Sequence, residues 1–102
     1  VEQAEAALDE IFSKLKAKNL PALVLGMRAP PNLGPDYGVA FEAMYPKLAA
    51  KHGAALYPFF LDGVAADANL NQADGIHPNA QGVEEIVRRM LPSVEALLAQ
   101  MK

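Results

Sequence analysis

The sequence predicts an α/β chain built on a parallel sheet, with too few strands to complete it. Three observations lead there. Apolar residues recur at helical spacing in three separate stretches. Two short, continuous apolar runs read as strands buried on both faces, as in a parallel sheet. The stretches alternate helix, strand, helix, strand, helix, the order that builds βαβ units.

The first helix spans Glu2 to Lys18, where Ala4, Ala7, Leu8, Ile11, Phe12 and Leu15 form one stripe. Lys14, Lys16 and Lys18 gather at its C-terminal end, where the helix dipole favours them, and Asn19 is the stop. Pro21–Met27 is the first apolar strand. It leaves into Arg28-Ala29-Pro30-Pro31-Asn32-Leu33-Gly34-Pro35, a stiff loop whose prolines forbid regular structure, at the strand edge where open α/β sheets bind ligands. A second helix from about Asp36 to His52 places Phe41, Met44, Tyr45 and Leu48 on one face, with Pro46 expected to kink it or to lie in a first turn and Gly53 to end it. Ala54 to Phe60 is the second strand, and Pro58 puts its position near an edge or its end. Leu61 to Asn71 has no clear period, and a short helix is expected around Gly63 to Ala68. The last helix is capped by Asn79 and carries Val83, Ile86, Val87, Met90, Leu91, Val94, Leu97, Leu98 and Met101, with Pro92 expected to kink it. Two strands leave apolar sheet edges uncovered, since independent sheets generally need three or more. The sequence therefore reads as half of a domain.

Composition narrows the chemistry. The 102 residues are 52% apolar and 21% charged, enough for one core of one domain. A net charge of −3 and a pI near 5.2 provide no basic patch for nucleic acid and no cation cluster for an anionic membrane surface. With no cysteine, disulfides, thiolate nucleophiles and cysteine-bound zinc are excluded. No apolar run approaches the ~20 residues that span a bilayer. Val1-Glu2-Gln3-Ala4-Glu5 is acidic where a secretory signal is basic, and no initiating methionine is present, so the chain is expected to begin inside a longer polypeptide.

The chemically loaded stretch is Asp74-Gly75-Ile76-His77-Pro78-Asn79. Glycine lets the backbone turn sharply and proline holds the exit extended, so the carboxylate can return onto the imidazole three residues on. That is the base half of a hydrolytic triad. The bland alternative is an Asx-turn at Asp74 with a merely exposed histidine. His52, the other histidine, lies at a helix end beside Lys51 and Gly53 and is expected to be solvated. The only serines, Ser13 and Ser93, fall inside amphipathic helices, without the sharp turn and oxyanion donors a nucleophile needs. A metal held by Asp62, Asp67, Asp74 and His77 is disfavoured, because no H-x-x-x-H or dense carboxylate loop occurs. Arg28 is a candidate clamp for an anionic substrate group, and the structural reading of a lone arginine at a strand end competes with it. Phe59-Phe60 and Met44-Tyr45 are assigned to the core. No glycine-rich phosphate loop is present, so no cofactor is expected.

Together with Gly26-Met27-Arg28-Ala29-Pro30-Pro31-Asn32 and Tyr45-Pro46-Lys47-Leu48-Ala49, the Asp74–Asn79 block resembles the SGNH (GDSL) hydrolases, in particular the bacterial arylesterase and multifunctional thioesterase/lysophospholipase branch. The resemblance covers essentially the whole chain. It implies the C-terminal half of a flavodoxin-like three-layer α/β/α domain, acting on small-molecule ester substrates in a periplasmic or secreted setting. It implies Asp74 and His77 as two members of a Ser-His-Asp triad, with Arg28, Pro30 and Ile76 bordering the substrate. Leu33 stands where relatives often carry an aromatic residue. The serine block and the G-x-N-D oxyanion block of the family are not found in this chain, which implies a partner in the N-terminal half of the same domain and inactivity without it. The rival reading is a non-catalytic α/β interaction module that binds through its exposed sheet edge.

Overall fold

The structure is a computed structural model and describes residues 1–101. Its elements are α1 (Glu2–Ala17), β1 (Leu23–Leu25), a single 3₁₀ turn (Pro31–Leu33), α2 (Pro35–His52), β2 (Ala55–Tyr57) and α3 (Ala80–Gln100). The two strands are parallel, with Leu23 beside Ala55, Val24 beside Leu56 and Leu25 beside Tyr57. This is the α/β arrangement with a parallel sheet that the alternation of periods predicts.

Both strands are shorter than the apolar runs that predict them. Pro21 and Pro58 have no N–H to give a ladder, and periodicity cannot locate where pairing stops. Past β1 the chains stay in contact. Gly26 N–H donates to the Tyr57 carbonyl at 2.8 Å, and the Gly26 carbonyl accepts from Phe60 N–H at 2.8 Å. A Cβ at position 26 would lie 2.1 Å from the Pro58 oxygen, so only glycine permits this approach.

Helix ends follow the sequence signals closely. Asn19 takes the left-handed conformation, φ 57°, just after α1, and Gly53 closes α2. Asn79 caps α3, its side chain accepting from Gly82 N–H at 2.9 Å. Pro46 and Pro92 lie inside α2 and α3 without ending them. Each removes one bond to the carbonyl four residues back, on Glu42 and Arg88 respectively, and all four residues are exposed. The freed carbonyls face water, so the helix survives the loss.

Two expectations are corrected. Residues 63–68 form successive turns rather than a helix. Gly63 and Ala66 both have positive φ, 78° and 65°, and two left-handed residues break a right-handed helix. His52 is not solvated. Its side chain is 7% exposed, its Nε2 lies 2.7 Å from Asp9 Oδ1, and its ring tilts against Phe12 at 5.8 Å. Asp9 also pairs with Lys51 at 2.9 Å, and Glu5 with Lys47 at 3.1 Å, so α1, which has no buried residue, is fastened to α2 by polar contacts. Hydrogen bonds from Lys51 and then His52 hold the Asp9 carboxyl below its ordinary range.

The core comprises Val24, Met44, Leu48, Ala49, Val64 and Ile86. It is small, and the surface is correspondingly large. The chain exposes 6971 Å², whereas a compact chain of 10.9 kDa exposes about 5,600 Å². Its radius of gyration is 15.0 Å, against about 13 Å for a compact domain of this length. The narrowest dimension is 15 Å, against 42 and 34 Å along the other two axes. Part of this surface is apolar: Val83, Val87, Leu91 and Leu98 recur along one exposed stripe of α3, each about half exposed. Two strands alone cannot cover that stripe.

Candidate active site

Asp74 and His77 lie on the loop between the β2 exit and α3, and the local sequence explains how they meet. Gly75 adopts φ 71°, a left-handed turn open to glycine, and the chain doubles back within three residues. Asp74 Oδ1 accepts from Ile76 N–H at 2.9 Å and His77 N–H at 3.0 Å, while Oδ2 lies 2.7 Å from His77 Nδ1. The Asx-turn and the Asp–His contact are therefore the same structure, using one oxygen each. An Asx-turn at Asp74 therefore does not exclude the carboxylate–imidazole contact.

The geometry orients the pair. Hydrogen bonds from the His77 ring and then from two backbone amides lower the Asp74 carboxyl to about 2. An ionised carboxylate only accepts, so Nδ1 is the donor, and in the neutral form of the ring the lone pair then lies on Nε2. The imidazole is 70% exposed, with Nε2 making no hydrogen bond among the described residues. A ring held on one side by a carboxylate and open on the other can take a proton at Nε2 and return it.

The loop closes on a base that sequence reasoning did not single out. Asn71 and Pro78 form an antiparallel bridge, Gln72 N–H donates to the His77 carbonyl at 2.7 Å, and Asn79 N–H donates to the Leu70 carbonyl at 3.0 Å. Asn79 Nδ2 reaches the Asn69 carbonyl at 2.9 Å. The only sequence signal was the recurrence of asparagine at 69, 71 and 79, on both sides of the Asp–His block.

The other named residues stand apart from the pair. Ile76 is beside His77 and 70% exposed. Arg28 and Pro30 are exposed on the loop leaving β1, and no hydrogen bond or ion pair joins either to His77 among the described residues. Arg28 pairs with Glu42 at 3.4 Å and stacks over the Phe59 ring at 4.3 Å, a structural engagement for this cation. Met44 is fully buried as assigned, while Phe59 and Phe60 are half-buried. Asp62 is taken by Arg89 at 3.2 Å and Asp67 by Asn69 N–H at 2.9 Å. No group of three histidine, aspartate or glutamate side chains able to hold a metal is found among the described residues. Ser13 lies in α1 and Ser93 in α3, as expected. A cavity of about 340 Å³ lies where the strands begin, lined by Phe12, Lys16, Asn19, Ala22, His52 and Ala54, away from the Asp74–His77 loop.

A parallel α/β sheet bearing such a loop beyond its strands defines an α/β protein of the architecture on which hydrolases are built. No family model matches the chain. Esterase TesA of Pseudomonas aeruginosa is 38% identical over 96 residues, spanning 94% of this chain and 48% of the relative. The thioesterase 1/protease 1/lysophospholipase L1 of Escherichia coli is 37% identical over 97 residues, spanning 95% and 47%. Among solved structures, a crystal structure of TesA superposes with a TM-score of 0.85 at 36% identity, covering 94% of this chain and 53% of that one. The SGNH-hydrolase family esterase AlinE4 gives 0.69 at 44% identity, covering 95% and 51%. The chain is thus homologous to the SGNH-hydrolase esterases and matches the C-terminal half of their length. It spans about half the length of the curated relatives it matches.

Proposed function

We propose that this chain supplies the base and its orienting carboxylate to an SGNH-type ester hydrolase, with the nucleophilic serine and oxyanion donors carried by an N-terminal half of the same domain. The observation that carries the reading is the 2.7 Å contact between Asp74 Oδ2 and His77 Nδ1, with Nε2 left open to solvent. His77 Nε2 takes the serine proton as the hydroxyl attacks the carbonyl and returns it to the departing alkoxide or thiolate, then takes a proton from the water that attacks the acyl-serine and returns it to the serine oxygen as the acid leaves. Asp74, ionised throughout, holds the tautomer and stabilises the imidazolium. Ile76, Arg28 and Pro30 border the substrate, a short-chain or aryl ester or a thioester. The setting is periplasmic or secreted, and nucleic acid is not a partner.

Support for the second half comes from the surface. The excess over a compact chain is roughly 1,400 Å², larger than the ~800 Å² each partner buries in a standard interface. It includes the apolar stripe of α3 and the open edges of the two-stranded sheet. A layer that extends the sheet and lies on α3 uses both.

The test is p-nitrophenyl acetate hydrolysis by residues 1–102 alone and by a chimera in which the part of Pseudomonas aeruginosa TesA preceding the match is fused ahead of Val1. The chain alone is expected to be inactive and the chimera active. Turnover by the chain alone that is abolished in His77→Ala contradicts the reading.

A further inference from the structure

The Asp74–His77 pair is exposed. The side chains are 42% and 70% exposed, and every hydrogen bond Asp74 makes is to a residue of its own loop. Its direction in space is therefore inherited from the base of that loop, where Asn79 braces one side and the Asn71 side chain joins the base to the buried Val64. The two amide hydrogens of Asn71 Nδ2 donate to two different carbonyls, Val64 at 2.8 Å and Asp67 at 2.9 Å. Each carbonyl also accepts a backbone N–H, from Asp67 and Leu70 respectively, at 3.2 and 3.0 Å. Both lone pairs of each oxygen, and both hydrogens of the amide, are thus occupied. Between those carbonyls lies Ala66 at φ 65°, a conformation an alanine takes only under constraint from its surroundings. Val64 itself is 0% exposed. A continuous line runs from the buried Val64 through the Asn71 side chain to the Asn71–Pro78 bridge, and from Gln72 N–H to the His77 carbonyl.

We propose that Asn71 is a positioning residue for the Asp74–His77 pair, its side-chain amide transmitting the rigidity of the core to the loop that presents His77. This rests on the reading of His77 as the base. The clamp needs two donors on one short arm. Aspartate sets oxygens against two carbonyl oxygens, glutamine overshoots by a methylene, and alanine leaves nothing. Alanine is the cleanest probe, because each carbonyl keeps its backbone donor and neither is orphaned.

The experiment compares the unsubstituted protein with Asn71→Ala, both as residues 1–102 and in the chimera, with folding followed by circular dichroism. Asp74 carboxyl titration is read by ¹³C NMR and the His77 Nδ1 proton by ¹⁵N-resolved spectra. With Asn71→Ala folded, the Asp74 midpoint and the Nδ1 proton are expected to stay as they are in the unsubstituted protein, because the bonds that set them lie within the loop, while Gln72 N–H, which donates to the His77 carbonyl, is expected to lose protection in NMR-detected exchange. In the active chimera kcat is expected to fall by roughly 10²-fold with KM unchanged, the effect of displacing a reacting group by about 1 Å. A merely structural asparagine lowers the melting temperature and leaves both Gln72 N–H protection and the kcat of the folded chimera unchanged, and that result overturns the proposal. If the variant does not fold, hydrogen exchange on the unsubstituted protein decides. Gln72 N–H is expected to open together with the amides of Asp67 and Leu70, and exchange of Gln72 without protection overturns the clamp. Failure of the parent reading is separately visible: it shows as full activity in His77→Ala and leaves the NMR result on Asn71 intact.

Discussion

Replacing Asn79 separates the two roles its side chain plays, capping α3 and bracing the loop that carries His77. Its Oδ1 accepts from Gly82 N–H at 2.9 Å, and its Nδ2 donates to the Asn69 carbonyl at 2.9 Å and weakly to that of Asn71 at 3.4 Å. Loss of the cap costs about 1 kcal/mol, and loss of one well-formed neutral hydrogen bond about 1 kcal/mol more. The contact at 3.4 Å adds little. Asn79→Ala is therefore expected to destabilise by about 2 kcal/mol. Asn79→Asp keeps the acceptor at a helix N-terminus that welcomes a negative charge, loses only the donor, and is expected to cost under about 1 kcal/mol. Urea denaturation resolves the two, since a chain of this size loses roughly 1–2 kcal/mol per molar urea and the alanine variant should shift its midpoint by about 1–2 M. Equal costs for alanine and aspartate would show that the cap contributes nothing. A cost below about 0.5 kcal/mol for alanine would refute both assignments.

Three further outcomes follow from the same structure. Asp74 titrates below its unfolded value, so its contribution to the loop is fully present above pH 3.8 and is lost as pH falls from 3.8 toward 2; ¹³C NMR should find the loop intact at pH 4 and opening below pH 3. Asp9→Asn should loosen α1 from α2, because Lys51 and His52 both converge on that carboxylate; limited proteolysis between residues 17 and 22 should accelerate while the β1–β2 amides stay protected. Met44→Ala, at a side chain 1% exposed, should cost about 3 kcal/mol by urea denaturation.

What the sequence made legible divides by the range of the interactions involved. The helix stops at Asn19 and Gly53, the Asn79 cap and the Asp74-Gly75-x-His77 turn are local, set by residues within four positions of one another, and each was readable. The parallel order was readable too, because hydrophobic period and alternation of elements are local sums. Contacts over longer separations were not. Nothing near His52 announces Asp9, 43 residues away, and a helix-end histidine beside a lysine reads as solvated until α1 is laid against α2. Residues 63–68 have enough apolar character for a helix, and only the left-handed Gly63 and Ala66 exclude it. The Asn71 clamp joins three turns whose mutual placement depends on Val64 being buried. At the candidate site, the chemical pair was therefore visible from sequence, whereas the scaffold that aims it was not.

The central claim is that His77, oriented by Asp74, is the base of an ester hydrolase. The most direct measurement is kcat for p-nitrophenyl acetate in the active chimera and in its His77→Ala variant, with folding of both checked by circular dichroism. A fall of ~10³-fold or more at unchanged fold is the predicted result, the size of effect seen when a triad member is removed. A folded variant that loses less than tenfold contradicts it.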